Sequence, residues 1–100
     1  MSEVLTVVAR IEAKADQIDL VKAEMSGLLA PTRKEAGCIQ YDLHQDTEHP
    51  AVFWFIEQWQ SPEHLKQHAG STHIAAYRQA TAEAIVSSEI RKMTRVSGQG

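Results

Sequence analysis

One hundred residues, 43% of them apolar and 23% charged, make a single domain over residues 1–100 with enough chain to bury a core. A formal net charge of −3 lacks the basic excess of a nucleic-acid binder, and no apolar run reaches the roughly 18 residues that cross a bilayer. The opening MSEVLTVVARIEA has no basic n-region, and the lone Cys38 cannot form an internal disulfide, so the expected setting is the reduced cytoplasm.

Val4 to Ala13 predicts a first strand, with Leu5, Val7, Ala9 and Ile11 on one face. Asp16 reads as a helix start. Ile18, Val21, Met25 and Leu28 or Leu29 then repeat at helical spacing, and Pro31 should kink or end that helix near Ala30. TRKEA adds a further turn, closed by Gly37. CIQYDLHQ, Cys38 to Gln45, alternates as a second strand. DTEHP is turn chemistry, and Ala51 to Gln60 is a third strand. Ser61-Pro62 starts a short helix that Gly70-Ser71 interrupts. A longer helix is expected from Thr72 to Val86, broken by Ser87-Ser88, and Glu89 to Val96 reads as a fourth strand. The order β-α-β-β-α-β is that of a ferredoxin-like α+β fold: a four-stranded antiparallel sheet with helices on one face.

The third strand is apolar on both faces. Phe53, Phe55, Glu57 and Trp59 point one way, and Val52, Trp54 and Ile56 the other. Two helical segments cover only one face of a four-stranded sheet. A second copy of the chain is the economical cover for the other, which predicts a homodimer interface at Val52, Trp54 and Ile56.

Several residues could carry chemistry. Glu57 lies on the apolar helix side, where a charge is costly unless paired. It is either a structural partner of Arg33, Arg78 or backbone N–H groups, or a functional carboxyl. His64 and His68 stand one helical turn apart, but no HExxH or nearby cysteine accompanies them, so no metal site is expected. The break at Gly70-Ser71 lets His68 and His73 approach one pocket from two short helices, where either could move a proton. Against this stand capping for His73 and packing on Trp59 for His68. Tyr41, Trp59 and Tyr77 read as core residues that could also clamp a flat aromatic ring. No glycine-rich nucleotide motif or Ser-His-Asp spacing occurs.

Gly37-Cys38 followed by Tyr41, the run FIEQW at 55–59, and His68-x-x-x-x-His73 followed by Tyr77 together resemble the antibiotic biosynthesis monooxygenase family, and within it the quinol monooxygenase branch. The similarity spans about residues 4 to 96. It implies a dimeric α+β barrel with a pocket between sheet and helices in each subunit. It also implies oxidation of a quinol or anthrone-like aromatic by O2 without flavin, haem or metal. On that resemblance His68, His73 and Glu57 are the expected catalytic groups, and Tyr41, Phe55, Trp59, Tyr77 and Arg78 the substrate-binding ones. Haem-degrading relatives carry an iron-ligating histidine near the position of Arg78, so this chain departs from them. Two other readings stay open: an isomerase acting on a small phosphorylated sugar, with charge from Arg33, Lys34 and Arg78, and a ligand-binding dimer without turnover.

Overall fold

The computed structural model describes residues 4–97. The observed order is β1 (Leu5–Ala13), α1 (Ile18–Ser26), α2 (Leu29–Arg33), β2 (Cys38–Gln45), β3 (Val52–Trp59), α3 (Pro62–Ala69), α4 (Thr72–Thr81) and β4 (Ile85–Met93). The strands form one sheet in the order β2-β3-β1-β4, with every neighbouring pair antiparallel. This is the expected ferredoxin-like arrangement, with each helical leg split in two. Among the described residues no helix is long and apolar enough to cross a membrane.

Local chemistry explains most boundaries. The first helical leg breaks at Gly27-Leu28, one turn before Pro31 rather than at it. Proline lacks an N–H and clashes with the carbonyl four residues back, so it is tolerated only in the first turn of a new helix. α1 starts at Ile18 after Gln17, not at Asp16, and carries no side-chain cap. Gly37 has a φ of +84°, a left-handed conformation in which a Cβ would also collide with the imidazole of His64. Glycine at this turn therefore lets α3 lie against the start of β2.

The last helix and strand differ from the expected spans. The helix stops at Thr81 rather than Val86, and β4 runs from Ile85 to Met93 rather than from Glu89 to Val96. Strand pairing overrides helical spacing here. Ile85 pairs with Ala13 and Ser87 with Glu12, which leaves Val86 as an extra bulged residue. The carbonyl of Ala84 accepts from the Lys14 amide at 2.8 Å, fixing the turn before the strand. Ser87 and Ser88 do not break anything, because in a strand their small side chains cost little.

The core sits between the sheet and the helices. Val7, Ala9 and Ile11 of β1, Phe53, Phe55 and Trp59 of β3, and Val21, Met25 and Leu28 from the first leg all pack there. On the opposite face of the sheet, Val8, Trp54 and Ile56 are half-buried, whereas Val52 is already buried within the single chain.

Candidate active site

Two short helices place the histidines. Ser61 caps α3, accepting from the His64 amide at 3.3 Å, and its hydroxyl also meets His64 Nδ1 at 2.7 Å. His64 is thereby spent on the cap and on Gly37, away from His68. α3 ends at Ala69, and Ser71 caps α4 by accepting from the Ile74 amide at 3.4 Å. The Ser71 hydroxyl also donates to the His68 carbonyl at 2.7 Å, tying the two helices together at the break. His68 thus closes one helix and His73 opens the next, with ring centroids 6.1 Å apart.

Between them lies Glu35, from the turn that joins α2 to β2. Its Oε2 is 2.8 Å from His68 Nδ1 and 2.6 Å from His73 Nε2. The carboxylate side chain is 17% exposed, His68 7% and His73 22%, so the pair of bonds is largely shielded from water. A carboxylate only accepts, so each of these ring nitrogens carries its proton toward Glu35. That fixes the tautomer of neutral His68 and leaves its Nε2 with a free lone pair. Nothing in the sequence singles out Glu35. It lies in the charged run TRKEA, which has the look of a solvated helical turn, and only the fold brings it against residues more than thirty positions away.

The same three atoms are candidate metal ligands, all within 4.8 Å of one another. Two histidines and a carboxylate suit zinc or iron chemistry. At 2.6 and 2.8 Å, however, they are spaced as hydrogen-bond partners.

A cavity of about 710 Å³ lies on the helix side of the sheet, lined by residues of all four strands and of α3 and α4. Its wall includes Tyr41, Phe55, Glu57, His68, Tyr77 and Arg78, with Lys66 and Lys92. Its volume falls in the range that holds a drug-sized molecule. Tyr41 stacks on Phe55 with centroids at 4.9 Å and meets the His68 ring edge-on at 5.4 Å. Trp59 is fully buried and is not part of the cavity wall. It stands behind it, with its indole 4.8 Å from the His68 ring. The packing of His68 on Trp59 and its approach to His73 therefore coexist.

Glu57 is 5% exposed and accepts a 2.9 Å hydrogen bond from the Trp59 indole N–H. It forms no ion pair among the described residues. Arg33 binds the Tyr41 carbonyl and Asp42 instead, and Arg78 donates to the Ala69 carbonyl at 3.4 Å. The carboxylate bonded to the imidazoles is accordingly Glu35, not Glu57. Burial pushes the Glu57 carboxyl up from the ordinary range; the indole bond opposes this and the charge of Glu35 adds to it. Burial likewise raises the Tyr41 phenol, with Glu57 directly across the strand pair contributing. Tyr77 is half-buried on the cavity wall, and its hydroxyl has no hydrogen-bond partner among the described residues.

Comparison with known proteins agrees with this architecture. The profile of a family described as "Antibiotic biosynthesis monooxygenase" matches residues 4–80. A Mycobacterium tuberculosis protein, "Putative monooxygenase Rv0793", is 31% identical over 83% of this chain and 81% of its own length. The crystal structure of PA3566 from Pseudomonas aeruginosa superposes with a TM-score of 0.92 at 34% identity, covering 96% of this chain and 97% of that one. The solved structure of Rv0793 superposes with a TM-score of 0.89 at 24% identity, covering 98% of this chain and all (100%) of its own, which speaks to the fold.

Proposed function

Because the chain belongs to the antibiotic biosynthesis monooxygenase family, we propose that it inserts oxygen from O2 into a quinol or anthrone-like aromatic, with His68 as its base. The observation that carries this reading is the His68 ring itself. Its Nδ1 is held by Glu35, and its other nitrogen belongs to a side chain on the wall of an aromatic-lined cavity. Such an imidazole is oriented before substrate arrives, so little reorganisation accompanies proton transfer.

For an anthrone, His68 removes a proton from the ring methylene and leaves an enolate. The enolate passes one electron to O2, and the two radicals combine at that carbon as a peroxide. The imidazolium returns its proton to the peroxide, and loss of water leaves a carbonyl. One O2 is consumed, one water is released, and the substrate supplies the electrons, so no flavin, haem or metal is invoked. Tyr41 and Phe55 would hold the ring, Tyr77 and Arg78 would meet its polar substituents, and Trp59 would support His68 and Glu57 from behind. His73 shares Glu35 with His68 and so helps fix the carboxylate.

The working unit in this reading is a homodimer, with Trp54 and Ile56 of two sheets facing each other and Val52 beneath them. The lone Cys38 suits a cytoplasmic setting. Oxygen uptake with a panel of hydroquinones and anthrones tests the chemistry. Wild type should consume O2 with at least one of them, and His68→Ala should lose on the order of 10²- to 10⁴-fold in rate. Equal rates for the two proteins would remove His68 from its role.

A further inference from the structure

Glu57 has no function in the oxygen chemistry above, yet its placement is unusual. It is a buried carboxyl with no cation beside it among the described residues. Its Oε1 is engaged by the Trp59 indole. Its Oε2 has no protein partner among the described residues, and it is not one of the sealed, unpartnered polar atoms there, which are Thr32 Oγ1 and the Tyr77 hydroxyl. The free oxygen is therefore reached from the cavity that Glu57 lines. His68 lines the same cavity, and the two are joined through Trp59, which touches both, and Tyr41, which is paired with Glu57 across the strands and lies 5.4 Å from the His68 ring. A cavity whose aromatic lining includes both a Lewis-basic imidazole and a carboxyl group suits concerted acid–base chemistry on one planar ligand.

We propose that this cavity catalyses an oxygen-independent enolisation of aryl ketones that carry an acidic C–H conjugated with the carbonyl, with His68 as base and Glu57 as acid. The proposal rests on His68 being the base named above. In the forward step His68 Nε2 takes the carbon-bound proton, and the freed electron pair enters the ring. The carbonyl π pair takes the proton of Glu57 and becomes a hydroxyl. His68 is left as imidazolium and Glu57 as carboxylate, and the reverse step restores ketone, base and acid, so no oxidant or reductant is needed. The burial that raises the Glu57 carboxyl favours the protonated form this step requires. A carboxylic acid kept neutral in an apolar site so that it can donate to a substrate oxygen is an established catalytic device.

The test is hydrogen–deuterium exchange at the methylene of anthrone, without oxygen, in buffered D2O containing cosolvent, followed by proton NMR. Wild type should exchange faster than buffer. Glu57→Gln keeps the shape and can donate a hydrogen bond but cannot surrender a proton, so its rate should drop at least about tenfold. Glu57→Met removes the donor as well and should fall to the buffer rate, as should His68→Ala. Wild-type exchange at the buffer rate, or Glu57→Met exchanging as fast as wild type, overturns the proposal. The two readings also separate. Exchange without any oxygen uptake in air removes the monooxygenase and keeps the acid–base pair. Exchange and oxygen uptake that both persist in Glu57→Met remove the acid and keep the monooxygenase.

Discussion

Glu35 and Glu57 are both carboxyls withdrawn from water, and both stand near His68: Glu35 is bonded to it, and Glu57 is bonded to Trp59, whose indole lies 4.8 Å from the His68 ring. Their surroundings differ in kind. Glu35 comes from an irregular turn and meets two ring N–H groups, so its negative charge is matched by donors on both sides. Glu57 comes from a central strand, and among the described residues the Trp59 indole N–H is the one hydrogen-bond donor to its side chain. The difference teaches that burial alone does not decide what a carboxyl does. The donors aimed at it also matter: Glu35 meets two ring N–H groups, whereas Glu57 has one indole donor and burial raises its carboxyl.

The sharpest way to break the comparison is Glu35→Gln. Both imidazoles bond one oxygen, Oε2, so a glutamine carbonyl placed there can still accept from both, but the negative charge that strengthens those bonds is gone. On the reading that Glu35 positions His68 rather than touching substrate, kcat should drop about 10- to 100-fold with KM little changed. The loss should also be non-additive with His68→Ala. A rise in KM with kcat intact, or full additivity, would mean that Glu35 acts on the substrate or only on the fold.

Gly37→Ala should give the next largest effect. The left-handed φ of +84° costs a non-glycine residue about 1–2 kcal/mol, and the added Cβ must displace the His64 ring. For a domain of this size that is a drop in Tm of at least about 4 °C. Because Glu35 lies two residues upstream, oxygen uptake should weaken with it, whereas Glu57, on a strand paired on both sides, should keep its titration. A variant that melts like wild type would show that the turn is not held by this glycine.

Much of the fold could be read from the chain because the repeating patterns are strong. A short apolar run in VFWFIEQW and alternation in CIQYDLHQ mark two strands, and Ser61-Pro62 marks a helix start, since each signal is local. The end of α4 was not legible, because ATAEAIV suits a helix as well as a strand and only the pairing of Ile85 with Ala13 decides it. The site divides in the same way. His68 and His73 stand out because a helix break between two histidines is visible in sequence. Glu35 does not, because its partners are 33 and 38 residues away and nothing in TRKEA marks it as buried. Trp59 looks like a ring clamp by its alternation with Phe55, but the sheet alone cannot say which side chains on one face end at a cavity and which lie behind it.

The smallest expected effect concerns Glu57 and the pH dependence of stability. Its folded-state pKa is raised above the unfolded value of 4.5, chiefly by burial. Between those two pKa values the native protein holds a proton that the unfolded chain has lost, so stability falls as pH rises across that window. The stabilisation from neutral Glu57 is complete below the unfolded value and is lost as pH rises through the folded one. The slope cannot exceed about 1.4 kcal/mol per pH unit for one proton. Urea unfolding of wild type and Glu57→Gln over a series of pH values above 4.5 isolates this contribution, because other titrating groups are common to both. The difference in stability, wild type minus variant, should decrease with rising pH. Glu35→Gln should shrink that decrease, since the charge of Glu35 helps to raise Glu57. A difference that stays flat or grows with pH would mean that Glu57 is held as a carboxylate after all, and the contrast between the two carboxyls would collapse.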